Sequence, residues 1–62
     1  MKIRIKIRSS NGETYSNDEE RPQDYLASTQ NPDFMQMIEE NVKRSHIEEV
    51  EYVKVTVYFG DM

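Results

Sequence analysis

Residues 2–8 alternate without exception between a basic side chain and isoleucine. A period of two is typical of a β-strand, because successive side chains point to opposite faces of a sheet. The pattern therefore predicts a first strand with one buried face, formed by isoleucine, and one positively charged face exposed to solvent. The basic residues are Lys2, Arg4, Lys6 and Arg8, and the apolar ones are Ile3, Ile5 and Ile7.

The dipeptide Asn11-Gly12 predicts a tight reversal after this strand. Both residues tolerate the positive φ angles of a two-residue type I′ turn. The chain is then expected to return as a short second strand over residues 13–16. With such a turn Arg8 lies opposite Tyr15, which places Tyr15 on the charged face of the hairpin.

Residues 17–30 are mostly polar and include four acidic side chains, Asp18, Glu19, Glu20 and Asp24. This composition predicts a long loop around Pro22. A one-turn helix near residues 23–27 would shorten it, and Tyr25 and Leu26 are the side chains that would attach it to the core. Loops of this length are uncommon in compact domains and are often functional or disordered.

A helix is predicted over Pro32–Ser45, because Asn31 suits the cap position, proline the first turn and Asp33 the positive end of the helix dipole. His46 is expected to close its C-terminal end. Met37 is expected on a partly exposed flank. The apolar stripe that faces the core is predicted to comprise Phe34, Met35, Ile38 and Val42.

Residues 50–59 are rich in β-branched and aromatic types and predict a last strand, followed by a tail at residues 60–62. Its odd positions, Val53, Val55, Val57 and Phe59, are assigned to the core. The other face then carries Tyr52, Lys54, Thr56 and Tyr58.

These elements predict an α+β fold of the type β-β-α-β, with residues 1–62 forming a single domain. A right-handed crossover through the helix sets the last strand beside the first. The expected sheet has three antiparallel strands in the order 2-1-3, with the helix packed on one face.

Composition narrows the possible functions. The chain has 62 residues, no cysteine, one histidine and a formal net charge of −4. It lacks a glycine-rich phosphate loop, a glycine-rich turn beside a serine and any known spacing of metal ligands, and the side chains of the neighbours Ser45 and His46 need not converge. We therefore expect no enzyme, no cofactor and no metal. The absence of cysteine and of a continuous apolar stretch favours a cytoplasmic protein that does not enter a membrane.

The predicted exposed face combines cations with tyrosine in an otherwise acidic chain, which makes it the candidate binding surface. Its residues are Arg4, Lys6, Arg8, Tyr15, Tyr52, Lys54 and Tyr58. A protein partner or a second copy of the chain would bind this face and the last strand, which is predicted to be a sheet edge with few charges. The alternatives are a single-stranded nucleic acid held by cations and stacked on tyrosine, and an ordinary solvated sheet face.

A thin core supports self-association. About a dozen apolar side chains are available for burial, and the free energy of burying them must offset the conformational entropy that the whole chain loses on folding. The isolated chain is therefore expected to be only marginally stable, and a partner surface would add to its stability.

Overall fold

The computed structural model describes residues 1–59, which form three strands and one helix. The elements are β1 (Lys2–Ser9), β2 (Thr14–Glu20), α1 (Pro32–Ser45) and β3 (Val50–Tyr58). The strands form one sheet in the order β2-β1-β3, and both neighbouring pairs are antiparallel. The predicted α+β topology is confirmed, while the tail predicted at residues 60–62 lies outside the described residues.

The core is built on the isoleucine face of the central strand. Ile3, Ile5 and Ile7 are each 0% exposed. They are covered from one side by Phe34 and Met37 of α1, and Ile47 completes the buried cluster. We call the side of the sheet that faces α1 the inner face and the opposite side the outer face.

The hairpin between β1 and β2 has a three-residue loop, so the predicted two-residue turn is wrong. The Ser9 N–H donates to the Glu13 carbonyl at 2.8 Å, and Gly12 has φ 99°. A left-handed glycine at the third loop position is the usual companion of this longer turn. The additional residue shifts the register by one, and Ile7 rather than Arg8 lies opposite Tyr15.

The acidic segment after Tyr15 is part of a strand and not of a loop. β2 continues to Glu20, whereas the sequence predicted its end at residue 16. Pairing with β1 along its whole length satisfies the backbone of this polar segment, which local composition alone does not indicate. The connection to α1 is therefore shorter than predicted. Tyr25 packs against the core as expected, whereas Leu26, also predicted to attach this segment, is 56% exposed.

Both ends of the helix are capped as predicted. The Asn31 side chain accepts a hydrogen bond from the Asp33 N–H at 3.0 Å, and Pro32 occupies the first turn. At the other end His46 adopts a left-handed conformation, with φ 57° and ψ 21°, and its N–H donates to the Lys43 carbonyl. This position usually carries glycine, because a Cβ atom is strained there.

A buried amide attaches the helix to β2. Asn41 is 0% exposed, and its Oδ1 accepts hydrogen bonds from the Tyr15 hydroxyl at 3.1 Å and from Asn17 Nδ2 at 2.9 Å. Its own Nδ2 donates to the Met37 carbonyl at 2.7 Å. A further ion pair joins the helix to Glu19, again on β2. These contacts draw α1 towards the β2 side of the sheet.

This placement reverses the predicted roles of two methionines. Met37 is 3% exposed and belongs to the core, whereas Met35 is 39% exposed. The sequence assigned Met35 to the core because it assumed that the helix packs through the centre of its apolar stripe. Phe34, Met37 and Asn41 are the buried residues of the helix, while Ile38 and Val42, which were also predicted for the core, pack against it partly buried.

The inner side of β3 is covered less than predicted. Val53 is 36% exposed, Val55 and Val57 are half-buried, and Phe59 is 75% exposed. The assignment of these four residues to the core is therefore wrong for Val53 and Phe59. The physical reason is the same, because a helix held over β1 and β2 leaves the third strand partly uncovered.

We expect His46→Gly to stabilise the chain by roughly 0.5–1 kcal/mol, because the left-handed region costs a residue with a Cβ about 1–2 kcal/mol and the greater freedom of unfolded glycine offsets part of that gain. Urea unfolding followed by circular dichroism measures the difference. His46→Ala is the matched control, since it removes the imidazole but keeps the Cβ. Equal stability of the two variants would contradict the proposed strain.

Candidate interaction surfaces

Six of the seven predicted binding residues lie on the outer face of the sheet. They are Arg4, Lys6 and Arg8 on β1 and Tyr52, Lys54 and Tyr58 on β3, and the register pairs each β1 residue with one on β3. The seventh prediction was wrong in its placement. Tyr15 lies on the inner face, where its ring packs against the core and its hydroxyl donates to Asn41, because the longer hairpin loop shifts the register by one.

Much of the positive charge on the outer face is neutralised. Arg4 lies opposite Asp18 and donates two hydrogen bonds to its carboxylate, at 2.8 and 3.1 Å. These bonds raise the pKa of Arg4 and lower that of Asp18. Lys2 Nζ lies 3.9 Å from the same carboxylate, and Arg8 Nε lies 3.5 Å from Glu51 Oε1.

Sequence reasoning missed Asp18 because it assigned this residue to a loop. The signal was present in the alternation of β2, where Thr14, Ser16, Asp18 and Glu20 share one face. A three-residue loop places this set beside the cations of β1, and a two-residue loop places it on the core side. Burying two carboxylates among isoleucines is so costly that the alternation itself argues for the longer loop.

Tyr58 is held by the same cluster of charges. The Arg4 guanidinium carbon lies 5.3 Å from the centre of its ring, and Lys2 Nζ lies 5.4 Å from it. Arg4 Nη1 also donates to the Tyr58 hydroxyl at 3.3 Å. The ring is therefore engaged within the chain, although it remains 42% exposed.

Lys6 and Lys54 stand apart from this network. They lie directly opposite each other on β1 and β3. Within residues 1–59 neither forms an ion pair, whereas Lys2, Arg4 and Arg8 each do. Like charges on directly opposed residues repel, so the centre of the outer face holds a pair of cations without a carboxylate.

The backbone N–H and carbonyl groups of the valines in β3 point to the free edge of the sheet. Met1 and Arg21 exchange N–H to carbonyl hydrogen bonds, and Ser9 donates to Glu13, so the odd residues of β1 bond to β2. The even residues of β1 consequently bond to β3, where their partners are Tyr52, Lys54, Thr56 and Tyr58. The N–H and carbonyl groups of Val53, Val55 and Val57 therefore point away from β1.

An apolar surface adjoins this edge. Asp33 and Arg44 of α1 contact residues on the β2 side, and helical spacing puts Met35, Ile38 and Val42 on the opposite flank. This flank lies on the same side of the sheet as the inner side chains of β3. We call the combined surface the apolar strip, formed by Val53, Val55 and Val57 with Met35, Ile38 and Val42.

A shallow open depression lies at the end of the sheet near the hairpin loop. Its lining includes His46 with the carboxylates of Glu13, Glu48 and Glu49, together with Ser9 and Asn11. The Ser9 hydroxyl donates to Asn11 and accepts from the Glu13 N–H at 3.0 Å, which commits it to the turn. No group of three side chains suited to a metal ion is found in residues 1–59.

Comparison with known protein families, curated proteins and solved structures finds no match to this chain. Over the same described residues, no helix has the length and apolar character needed to cross a membrane.

The Asp18–Arg4 contact predicts a pH-dependent contribution to stability. Because the pKa of Asp18 in the folded chain lies below its ordinary value of 3.8, the contribution is complete above that pH and is lost as the pH falls through the lowered value. We expect Asp18→Asn to reduce the unfolding free energy at about pH 7 and to have a smaller effect at about pH 2. Urea titrations of both proteins at several pH values measure this, and a constant difference would contradict it.

Proposed function

We propose that this chain is a non-enzymatic interaction module that binds a β-strand, from a partner protein or a second copy, along the free edge of β3. The observation that carries the proposal is that, within residues 1–59, the edge-directed backbone groups of β3 have no partner strand and its inner valines are incompletely buried. A strand added there would hydrogen-bond to Val53, Val55 and Val57 and cover the apolar strip. Such strand addition combines affinity from the main chain with specificity from alternate side chains.

The two edges of the sheet differ in a way that supports this choice. β2 carries three carboxylates in succession, Asp18, Glu19 and Glu20, and charged edges deter pairing. β3 has nine residues, of which Glu51 and Lys54 are charged. The side chain of Lys54 lies on the outer face, where it stays hydrated when another strand pairs with β3.

Two observations support a non-enzymatic role. Ser9 is bonded within its turn, and the depression that contains His46 is open and polar. We further propose a cytoplasmic location, which is supported by the absence of cysteine from the whole sequence, since disulfides are rare in that compartment.

A selection from a library of short displayed peptides tests the proposal. We expect wild-type protein to enrich peptides that alternate apolar and polar residues, and we expect Val53→Pro to bind them at least about tenfold more weakly. Proline removes an N–H at the free edge and obstructs a new strand, yet it removes no hydrogen bond to β1.

Lys54→Pro is the matched contrast to this variant. Its N–H bonds to β1, so this substitution is expected to destabilise the fold, whereas Val53→Pro keeps the wild-type circular dichroism spectrum. Failure of a chain that sediments as a monomer to enrich any peptide, or equal binding by folded Val53→Pro, would refute strand addition at β3.

A second candidate function is supported by the unneutralised Lys6–Lys54 pair. A single-stranded nucleic acid could place a phosphate between these cations and stack a base on Tyr52, which is 40% exposed. In this proposal the outer face is the binding surface and the edge of β3 is not needed. Arg4 and Tyr58, which are held by Asp18 and its neighbours, contribute less.

Anisotropy of a labelled oligonucleotide at low salt tests this second function. We expect Lys6→Ser to weaken binding and Asp18→Asn, which releases Arg4, to strengthen it, with the affinity falling as salt rises. Lys43→Ser on the helix changes the net charge equally and serves as the control. Absence of binding, or equal loss in the two serine variants, would rule out a site at Lys6.

A further inference from the structure

We infer that the strand bound by the free edge is β3 of a second copy, in an antiparallel register that places Val55 of each chain opposite its own counterpart. This inference rests on the proposed function, because it names the occupant of the same edge. The result is a symmetric dimer with a continuous six-stranded sheet, three strands from each copy. A two-fold axis passes between the two Val55 residues.

The pleat of the strand excludes half of the conceivable registers. Directly opposed residues of an antiparallel pair lie on the same face of the sheet. A register that opposes an inner valine to Lys54 or Thr56 would therefore turn the apolar strip of one copy towards solvent. Only registers that pair odd residues with odd residues keep both strips on one side.

Among the remaining registers, the one centred on Val55 pairs the three edge-directed valines only with one another, whereas centring on Lys54 would place Val57 opposite Glu51. Val53 pairs with Val57 of the second copy, Val55 with Val55, and Val57 with Val53. Each such pair exchanges two hydrogen bonds, which gives about six across the interface. Centring the pairing on Thr56 leaves about four within the strands, because Val53 then lies opposite Phe59, beyond the end of β3.

The outer-face pairs favour the same register. Centring on Val55 places Tyr52 opposite Tyr58 of the second copy and Lys54 opposite Thr56. Aromatic pairs and lysine beside a hydroxyl are compatible neighbours, whereas centring on Lys54 would oppose two lysines. That arrangement would add a second repulsion to the existing Lys6–Lys54 contact. The strand is therefore complementary to itself in one register.

The apolar strip also suits a second copy better than an unrelated strand. A two-fold axis at Val55 brings the inner valines of both copies together on one side of the joined sheet. An unrelated strand would have to supply apolar residues at the same alternate positions to do this. Val55 and Val57 are half-buried within one chain, and the same residues of the second copy would cover the remainder of their surface.

Single cysteine substitutions report the register directly, because the chain contains no cysteine of its own. In the proposed dimer the two Cα atoms at position 55 are about 5.5 Å apart, within disulfide range. The paired positions at 54 or 56 are diagonal neighbours about 7–8 Å apart, beyond easy bridging. We expect Val55→Cys to form an oxidised dimer at least about tenfold faster than Lys54→Cys or Thr56→Cys.

Sedimentation of the wild-type chain from micromolar to submillimolar concentration completes the test. We expect a monomer–dimer equilibrium that Val53→Pro shifts to monomer. A dimer that cross-links fastest at position 54 or 56, or equally at all three positions, overturns the register. A wild-type chain that stays monomeric overturns the inference, yet strand addition survives if selected peptides still bind, and both proposals fail if none do.

Discussion

The buried side chain of Asn41 determines where the helix lies, and most of the exposed surface follows from that position. An amide without partners is costly in a core, so the helix must stay where Tyr15, Asn17 and the Met37 carbonyl satisfy it. All three strands share one inner face, but these partners lie on β2 or within the helix itself. The helix packs on β1 and its side-chain contacts to the sheet edge are with β2, so the inner side of β3 is covered only in part. The valines of β3 are thus left incompletely covered because the hydrogen bonds of Asn41 hold the helix at β2.

On the outer face, ion pairs with carboxylates neutralise much of the positive charge of β1. The alternation in β1 indicates a strongly basic surface, but Asp18 and Glu51 neutralise its two ends. What remains is a central pair of lysines between better-compensated regions. The positive potential of this face is therefore local and short in range, since exposed charges are screened within about 8–10 Å at ordinary salt. A flat apolar edge beside it offers a larger favourable free energy on binding.

Features set by local chemistry could be predicted from the sequence. The alternation of β1, the cap at Asn31 and the β-branched run of β3 each act over a few residues, and together they gave the correct elements and sheet order. The errors arose at positions where contacts with residues far away in the sequence determine which side chains are buried. The side of the helix that faces the sheet depends on Asn41 and its partners on β2, more than twenty residues away. Local patterns could not show that Met37 rather than Met35 would be buried.

The hairpin loop shows how a small backbone detail governs the chemistry of two surfaces. The side-chain oxygens of Ser9 and Asn11 both accept a hydrogen bond from the Glu13 N–H, and Gly12 supplies the conformation that admits a third residue. Removing one residue from this loop would exchange the faces of β2, sending Tyr15 to solvent and Asp18 into the isoleucine layer. An insertion or deletion of one residue in this loop would therefore move every side chain of the following strand to the opposite face of the sheet. Its effect would resemble that of substituting all of those residues at once.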